Sequence, residues 1–167
     1  MKPSFSSISV VLFFAIISFT LASHTTHNKK ENIKKVRTYW EEVWGKGNLQ
    51  AVADFYHPQA KHGEDFSIEG FQKGVSSLRT AFPDFKVTIN DIFSTGDKVI
   101  TEVIYTGTHT GKKYFKQEPQ GKQVKVPGID IFTFKNGKCV SHQHVADHLD
   151  LVMQMGLQLT PTPADKK

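Results

Sequence analysis

Hydrophobic residues recur every three or four positions in the first half of the chain and every second position in most of the second half. The first spacing is typical of helices with one apolar face, and it predicts three helices before Pro83. The predicted helices cover about residues 32–44, 48–57 and 68–82. Glycines after the first helix and prolines after the other two mark their ends. The polar residues 59–66 are predicted to connect the second and third helices.

The second spacing is typical of strands whose two faces differ, and it begins near Phe85. The predicted strands cover about residues 86–93, 98–109, 123–134 and 139–146. Asn136 and Gly137 tolerate positive φ, so they are a strong signal for a hairpin between the last two strands. We expect Pro127-Gly128 to form a bulge that bends the third strand. A short helix over about 148–155 follows the last strand.

Helices followed by a series of strands predict an α+β fold, with three helices packed on an antiparallel sheet. A strongly bent sheet around the long first helix would enclose an apolar pocket. The 167 residues are 38% hydrophobic and include thirteen phenylalanines, enough for one compact domain with a partly aromatic core or pocket. We assign this domain to residues 31–158.

The two ends of the chain have different compositions. Lys2, an apolar run from Ile8 to Leu21 and small residues at Ala22 and Ser23 are typical of a signal peptide, assigned to residues 1–22. The alternative is an uncleaved anchor, but the run is shorter than the roughly 20 residues of a membrane span. We therefore predict a secreted or periplasmic protein that meets the membrane only through this segment. Two polar segments are predicted to lack stable structure, a flexible lead-in at 23–30 and a disordered tail at 159–167.

Charge and cysteine content argue against a nucleic-acid binder and against a domain stabilised by disulfides. The formal net charge is +5, but the chain has only two arginines, so it lacks the arginine-rich surface of a nucleic-acid binder. Cys139 is the only cysteine, so no intramolecular disulfide can form. We predict that Cys139 is a small buried hydrophobic residue.

Asp147 is the first candidate for catalysis, because it ends the last strand between apolar neighbours. An apolar site raises the pKa of a carboxyl group, which lets it act first as a base and then as an acid. Alternation places Gln143 and Val145 on the same strand face, and we expect that face to line the pocket. The alternative is that Asp147 caps the N-terminus of the following helix.

Other polar residues have both a functional and a structural interpretation. His109, at the end of the long strand, could polarise a carbonyl or orient Asp147, or it could simply bond to backbone at the rim. Asp130 stands between apolar residues, so it is either paired or directed into a pocket. His142 and His144 share the face opposite Asp147. That face is predicted to be solvated or an interface, since a metal site would need a third converging ligand.

Five segments together resemble one known family over roughly residues 33–157. They are Ala81–Phe85, Thr106–Gly111, Gly121–Val124, Gly128–Phe134 and Val145–Gly156. Their order and spacing are similar to those of the SnoaL-like polyketide cyclases, also called ester cyclases, of the nuclear transport factor 2-like superfamily. The resemblance implies a cone-shaped α+β barrel around an apolar pocket. It also implies an intramolecular aldol reaction without a metal or organic cofactor.

The resemblance further implies which residues form the site. The family's acid/base aspartate corresponds to Asp147. A polar residue of the pocket corresponds to His62, and the first helix, with Trp40, forms the pocket floor. Phe82, on the buried side of the third helix, is also expected to contact the substrate. Many members have tryptophan where this chain has Gln143, which indicates a different pocket shape.

Three functions are consistent with these observations. The first is a cofactor-independent cyclase, isomerase or lyase that acts on an apolar small molecule with a carbonyl group. The second is a carrier that binds an apolar ligand without chemistry, because one fold can serve both uses. The third is an interaction module that forms a homodimer through the sheet face with His142 and His144.

Overall fold

The structure is a computed structural model, and it describes residues 29–63 and 66–158. The predicted signal peptide, residues 23–28 of the lead-in and the tail at 159–167 lie outside the described residues. Residues 29 and 30, which we placed in the lead-in, are already helical. None of the helices in the described ranges is both long enough and apolar enough to cross a membrane.

Four helices are present among residues 29–63 and 66–158, and three of them precede the long strands as predicted. Helix α1 is α-helical over 29–39 and continues as a π-helical segment, Trp40–Lys46. The others are α2 (Gln50–Phe55), α3 (Ile68–Ala81) and α4 (His148–Gln154). Gly47 ends α1 in the left-handed region at φ 74°, where glycine has no steric penalty. Apolar spacing alone did not reveal the π-helical turn, because it shares the buried face of the helix that precedes it.

Five strands form one sheet in the order β1-β5-β4-β3-β2. Their bounds are β1 (Tyr56–Lys61), β2 (Lys86–Thr95), β3 (Lys98–His109), β4 (Lys122–Lys135) and β5 (Lys138–Ala146). The last four form the predicted antiparallel meander. The prediction of a polar connector at 59–66 is partly wrong, because β1 pairs in parallel with the edge of β5. An edge strand needs few apolar residues, so β1 had no strand-like pattern.

The predicted bulge at Pro127-Gly128 is wrong, because β4 pairs with β3 without interruption from Lys122 to Thr133. Pairing with β5 ends at Gly128 and Ala146, so Pro127, which has no N–H to donate, lies just beyond the end of β5. The irregularity in this hairpin instead lies between Thr133 and Phe134, where β5 carries one extra residue.

The core of the described part of the chain consists of two apolar clusters. The larger cluster packs α1 against the inner faces of β3 and β4, with Val36, Val43, Val103 and Phe132 fully buried. The smaller cluster includes Phe82 and Met155 and lies beneath α4. The fold is therefore the α+β arrangement predicted from the sequence, with helices on one side of the sheet.

Helix α4 is held at the end of the sheet by the side chain of Gln154, which hydrogen-bonds to the backbone of β4. Gln154 accepts a hydrogen bond from the backbone N–H of Lys125 at 2.7 Å and donates one to the Lys125 carbonyl at 3.1 Å. Lys125 lies on β4 beyond the end of β5, so the amide of Gln154 satisfies backbone groups that β5 does not reach. This contact places α4 over one end of the space between the sheet and α3.

Candidate functional site

A cavity of about 400 Å³ lies between the inner face of the sheet and helices α1, α3 and α4. Most of its wall is apolar and aromatic. The aromatic residues in the lining are Trp40, Trp44, Phe66, Phe71, Phe82, Phe85, Tyr105 and Tyr114. The polar residues are fewer, and they include Asp130, His62, His142 and His144. A cavity of this size and composition fits a small apolar molecule with a polar group.

Asp130 is the centre of the polar part of the wall, and its side chain is 1% exposed. Its Oδ1 accepts hydrogen bonds from His142 Nε2 at 2.7 Å and from His144 Nδ1 at 2.9 Å. Its Oδ2 accepts a bond from the Tyr105 hydroxyl at 2.7 Å. A buried carboxylate is costly unless it is fully hydrogen-bonded, and these three donors meet that requirement.

The charge of this network follows from burial and hydrogen bonding. Burial alone would raise the pKa of Asp130, but the hydrogen bonds and charges of His142 and His144 outweigh it and lower the pKa to about 2. Burial lowers the pKa of His142 to about 4, although its bond to Asp130 acts in the opposite direction. Burial also raises the pKa of Tyr105. At neutral pH, the network is therefore an anionic Asp130 with a neutral His142 and a neutral Tyr105.

His142 has both ring nitrogens engaged. Because a carboxylate can only accept, Nε2 carries the proton directed at Asp130, and Nδ1 then accepts from the Tyr56 hydroxyl at 2.6 Å. The ring is stacked between Phe132 and His62, each with its ring centroid 4.3 Å away. His142 thus holds Asp130 in place and has no nitrogen left for a ligand.

His144 has one nitrogen available. Its Nδ1–H donates to Asp130, which leaves Nε2 as the acceptor nitrogen of the neutral ring. Within the described ranges, no protein group hydrogen-bonds to that Nε2. The side chain is 26% exposed and lines the cavity. A carboxylate behind one nitrogen and a free second nitrogen form the same acid/base dyad that orients histidine in hydrolase triads.

The residues predicted for catalysis lie elsewhere. Asp147 is exposed, lies outside the cavity lining and caps α4 by accepting a hydrogen bond from the Asp150 N–H at 2.8 Å. The prediction that it faces the pocket is wrong, and the cap that we gave as the alternative is what the structure shows. His109 is fully buried behind Phe82, with ring centroids 5.1 Å apart, and its Nε2 donates to the Lys112 carbonyl at 3.0 Å. It neither lines the cavity nor reaches Asp147.

The predicted substrate-binding residues divide into two groups. His62, Asp130, Trp40 and Phe82 all line the cavity, so their predicted contacts with a ligand remain predictions. The other two, Gln143 and Val145, lie on the outer face of β5, where Val145 is 71% exposed.

The face that carries His142 and His144 is the inner one. The prediction of a solvated or interface face is therefore wrong, because His142 is 4% exposed and both rings line the cavity. The predicted homodimer stays a prediction, but His142 and His144 line the cavity and not an open sheet face. Within the described ranges, no group of three His, Cys, Asp or Glu side chains is arranged to hold a metal ion.

Comparison with known proteins identifies the family. The model of the SnoaL-like polyketide cyclase family matches residues 34–155, which is most of the chain. The chain belongs to the SnoaL-like polyketide cyclase family. No curated protein sequence matches it. The resemblance seen in the sequence is therefore confirmed at the level of the family.

Solved structures show the same fold. A protein from Jannaschia sp. CCS1, assigned by name to the SnoaL-like polyketide cyclases, is 21% identical with a TM-score of 0.70, over 78% of this chain and 95% of that one. TsrD from Streptomyces laurentii is also 21% identical with a TM-score of 0.70, over 76% and 96%. A protein from Acidithiobacillus ferrooxidans, assigned by name to the polyketide cyclases, is 27% identical with a TM-score of 0.64, over 73% and 92%. At such identities the likeness supports the SnoaL-like fold and leaves the site to be argued from this chain.

Sequence reasoning missed His144 and Tyr105 as members of the site. Tyr105 was assigned only to a strand, and His144 was assigned to the wrong face. One signal was available, since Asp130 was expected to be paired or pocket-facing, and it is both. The sequence alternation on β4 already placed Asp130 on the same face as Phe132. A buried carboxylate on a face of phenylalanines requires donors, and histidines on the paired strand can supply them.

Gly128 positions Tyr105 by its lack of a side chain. A Cβ at Gly128 would lie 2.5 Å from Cε2 of the Tyr105 ring, so the ring fits only over a glycine. We expect Gly128→Ala to displace the ring, weaken the hydrogen bond from Tyr105 to Asp130 and lower the free energy of unfolding by about 1–3 kcal/mol. Urea unfolding measures this loss.

The double variant Gly128→Ala/Tyr105→Phe tests the cause. If the clash destabilises the protein by weakening the hydrogen bond from the Tyr105 hydroxyl, the double variant will lose less free energy of unfolding than the sum of the losses in the two single variants. Strict additivity would contradict the proposed contact. Gly74→Ala is the control, because a Cβ at Gly74 would meet open space. Gly121→Ala is unsuitable, because the positive φ of Gly121 would strain an alanine.

Proposed function

We propose that the protein is an acid/base enzyme that removes a proton next to a carbonyl group of an apolar small molecule, as in an intramolecular aldol cyclisation. Membership of the SnoaL-like family supports a cyclase-type role. The observation that carries the proposal is the dyad of Asp130 and His144 in the wall of the aromatic cavity, 2.9 Å apart with Nε2 free. His144 takes the role that we first predicted for Asp147.

The proposed step uses residues in distinct roles. His144 Nε2 accepts the proton from the carbon next to the carbonyl, and the electrons of that C–H bond form an enolate. The enolate carbon then bonds to a second carbonyl carbon of the same molecule, and the resulting alkoxide takes the proton from the His144 imidazolium, which restores the neutral ring. The anionic Asp130 stabilises the imidazolium formed on His144 and holds its ring in one orientation. The proposed step requires no metal or organic cofactor.

The aromatic wall supports the chemistry by excluding water. An enolate is protonated rapidly in water, whereas a dry cavity leaves it time to form a carbon–carbon bond. The low dielectric also strengthens the interaction of Asp130 with the imidazolium. An apolar ligand would gain roughly 25 cal/mol for each Å² of apolar surface that it buries there.

A deuterium-exchange experiment tests the base directly, with acetylnaphthalene as a probe of suitable size and polarity. In deuterium oxide, the wild type is expected to exchange the methyl protons next to its carbonyl, as followed by proton NMR. His144→Asn keeps an amide donor near Asp130 but has no base at Nε2, so we expect exchange to fall about 100-fold or more. Ligand entry is measured separately by quenching of Trp40 and Trp44, the only two tryptophans, both of which line the cavity.

Two matched variants on the outside of the cavity serve as controls. Gln143→Asn changes the residue beside His144 on the outer face, and Asp147→Asn removes the carboxylate that we first predicted to be catalytic. Both are expected to retain exchange. Loss of exchange in Asp147→Asn with retention in His144→Asn would contradict the proposal and restore the earlier assignment.

A binding function is the second candidate, and one observation favours it. All three hydrogen bonds of Asp130 come from protein groups, so the network is complete without a ligand. In that case the protein would carry an apolar molecule in an inert cavity. Quenching of the tryptophans by acetylnaphthalene without any exchange above the uncatalysed rate would favour this function over the enzyme.

A further inference from the structure

We infer that His62 is the proton donor that acts opposite His144, and that the pair eliminates water from β-hydroxy ketones. The inference rests on the proposed function, since it takes His144 as the base. It adds a second catalytic residue and a second reaction, which would convert an aldol product into an unsaturated ketone.

His62 directs one nitrogen at the protein and leaves the other free. It follows β1, and its Nδ1–H donates to the backbone carbonyl of His142 at 2.9 Å. Its Nε2 has no hydrogen bond from any group in the described ranges, and the residue lines the cavity. The ring is held by stacking on His142 and by edge contacts with Phe66 and Phe71, whose ring centroids lie 5.8 and 5.5 Å away. A ring fixed in this way presents Nε2 in one direction.

His62 and His144 both neighbour the ring of His142, the first in a stacked and the second in an edge-to-face arrangement. The ring centroid of His142 lies 4.3 Å from that of His62 and 6.4 Å from that of His144. In both His62 and His144, Nδ1 is hydrogen-bonded and Nε2 is free. In His142, both nitrogens are hydrogen-bonded. Both residues line the cavity, so the proposed reaction places a small molecule between the two Nε2 atoms.

The partners of the two rings assign their roles. His144 donates to a carboxylate, which stabilises the positive charge that the ring acquires as a base. His62 donates to a backbone carbonyl, which fixes its ring but places no carboxylate behind it. The carboxylate behind His144 suits that ring to the role of base, and His62 is left for the role of donor.

Other polar groups of the cavity are less suited to donate the proton. The hydroxyl of Tyr105 is committed to Asp130, and burial raises its pKa. His148 is exposed and lies beside the proposed base, with its ring centroid 5.7 Å from that of His144. His62 is the imidazole that remains, and its Nδ1 is fixed by the His142 carbonyl.

The elimination balances with these two residues alone. His144 Nε2 takes the proton from the carbon between the carbonyl and the carbinol carbon. The electrons of that C–H bond form the carbon–carbon double bond, and the C–O bond to the hydroxyl breaks. Protonated His62 gives its Nε2 proton to the departing hydroxyl, which leaves as water. Transfer of the proton from His144 back to His62 through solvent restores both rings, and no oxidant or reductant takes part.

One compound tests both steps, the aldol adduct of naphthaldehyde and acetone, which is a β-hydroxy ketone. Deuterium uptake next to its carbonyl reports the base, and the ultraviolet absorbance of the conjugated enone reports loss of water. His62→Asn keeps a donor for the His142 carbonyl but removes Nε2. We expect this variant to keep deuterium uptake and tryptophan quenching while enone formation falls about 100-fold. His144→Asn is expected to lose both reactions.

His57→Asn is the matched control, because His57 lies on β1, outside the cavity lining, and should leave both rates unchanged. Equal enone formation in His62→Asn and the wild type would overturn the inference while leaving His144 as the base. Loss of both reactions in His62→Asn would also overturn it, since the residue would then act only by holding the site together. A wild type that shows no deuterium uptake would refute the proposed function itself, and this inference with it.

Discussion

An Asp130→Asn variant is expected to lose about 3 kcal/mol of folding free energy and to reduce deuterium exchange about 100-fold or more. The two losses have one origin. The Asp130 carboxylate accepts hydrogen bonds from His142, His144 and Tyr105, and all three are donors. An asparagine amide can accept at only one atom and directs N–H groups at its neighbours with the other. At least one buried donor is therefore left without an acceptor.

The effect on exchange follows from the orientation of His144. Without an anion behind Nδ1, the ring is free to take the other tautomer, in which Nε2 carries a proton and cannot act as a base. The imidazolium that forms during the reaction also loses its counter-charge. A merely structural role of Asp130 would lower stability and leave the exchange rate per folded molecule nearly unchanged.

Urea unfolding and deuterium exchange measured on the same samples separate these possibilities. Asp97→Asn is a suitable control, because Asp97 is exposed in the turn between β2 and β3. Stability within about 0.5 kcal/mol of the wild type would show that the network does not depend on the carboxylate. Normal exchange per folded molecule would remove Asp130 from the proposed mechanism.

The hairpin of β4 and β5 shows which features could be predicted from the sequence and which could not. Alternation and Asn136-Gly137 correctly predicted both strands and the turn between them. They also predicted which residues of β5 share a face. They did not establish which face is interior, because both faces of β5 carry polar residues and no apolar stripe distinguishes them.

A bulge explains why counting from Cys139 leads to the wrong face. Cys139 is buried as predicted, and steps of two from it lead to Gln143 and Val145. The register shift opposite Thr133 and Phe134 inserts one residue into β5 and inverts this count. His142 and His144 therefore point inward. Neither glycine nor proline marks this bulge, so no local signal in the sequence could have located it.

Local sequence patterns could not predict the polar network around Asp130, because its members come from different strands. Tyr56, Tyr105, Asp130 and the two histidines come from four strands, and the parallel pairing of β1 with β5 was not predicted. Only the requirement that a buried acid be paired pointed to the network. That requirement named Asp130 correctly but could not name its partners, because strand order decides which donors are near it.

Acidification from pH 7 to pH 4 is expected to destabilise the fold by about 3 kcal/mol through His142. Burial lowers the pKa of this ring from its ordinary value of about 6.5 to about 4 in the folded protein. Between these two values the unfolded chain binds a proton that the folded protein does not bind. Stability is therefore complete above pH 6.5 and is lost as the pH falls towards 4.

Asp130 extends the same trend to lower pH. Its pKa is about 2 in the folded protein and about 3.9 in an unfolded chain, so its contribution is present above pH 4 and disappears as the pH approaches 2. The two residues titrate as a coupled pair, and both favour the form with a neutral imidazole and an anionic carboxylate. Burial lowers the pKa of His148 as well, and that contribution has the same sign.

Urea unfolding between pH 7.5 and pH 4, followed by circular dichroism, measures how the free energy of unfolding changes with pH. His142→Gln serves as the comparison, because glutamine can still donate to Asp130 but has no proton to gain in this range. The variant will be less stable at pH 7 and will lose less stability on acidification, so the two curves should converge towards pH 4. Parallel curves would mean that the pKa of His142 keeps its ordinary value in the folded protein, so that the ring gains a proton below about pH 6.5. His142 and Asp130 would then form an ion pair, and Tyr56 would accept rather than donate at Nδ1. The positive ring would compete with His144 for the carboxylate, which would weaken the base on which the proposed chemistry depends.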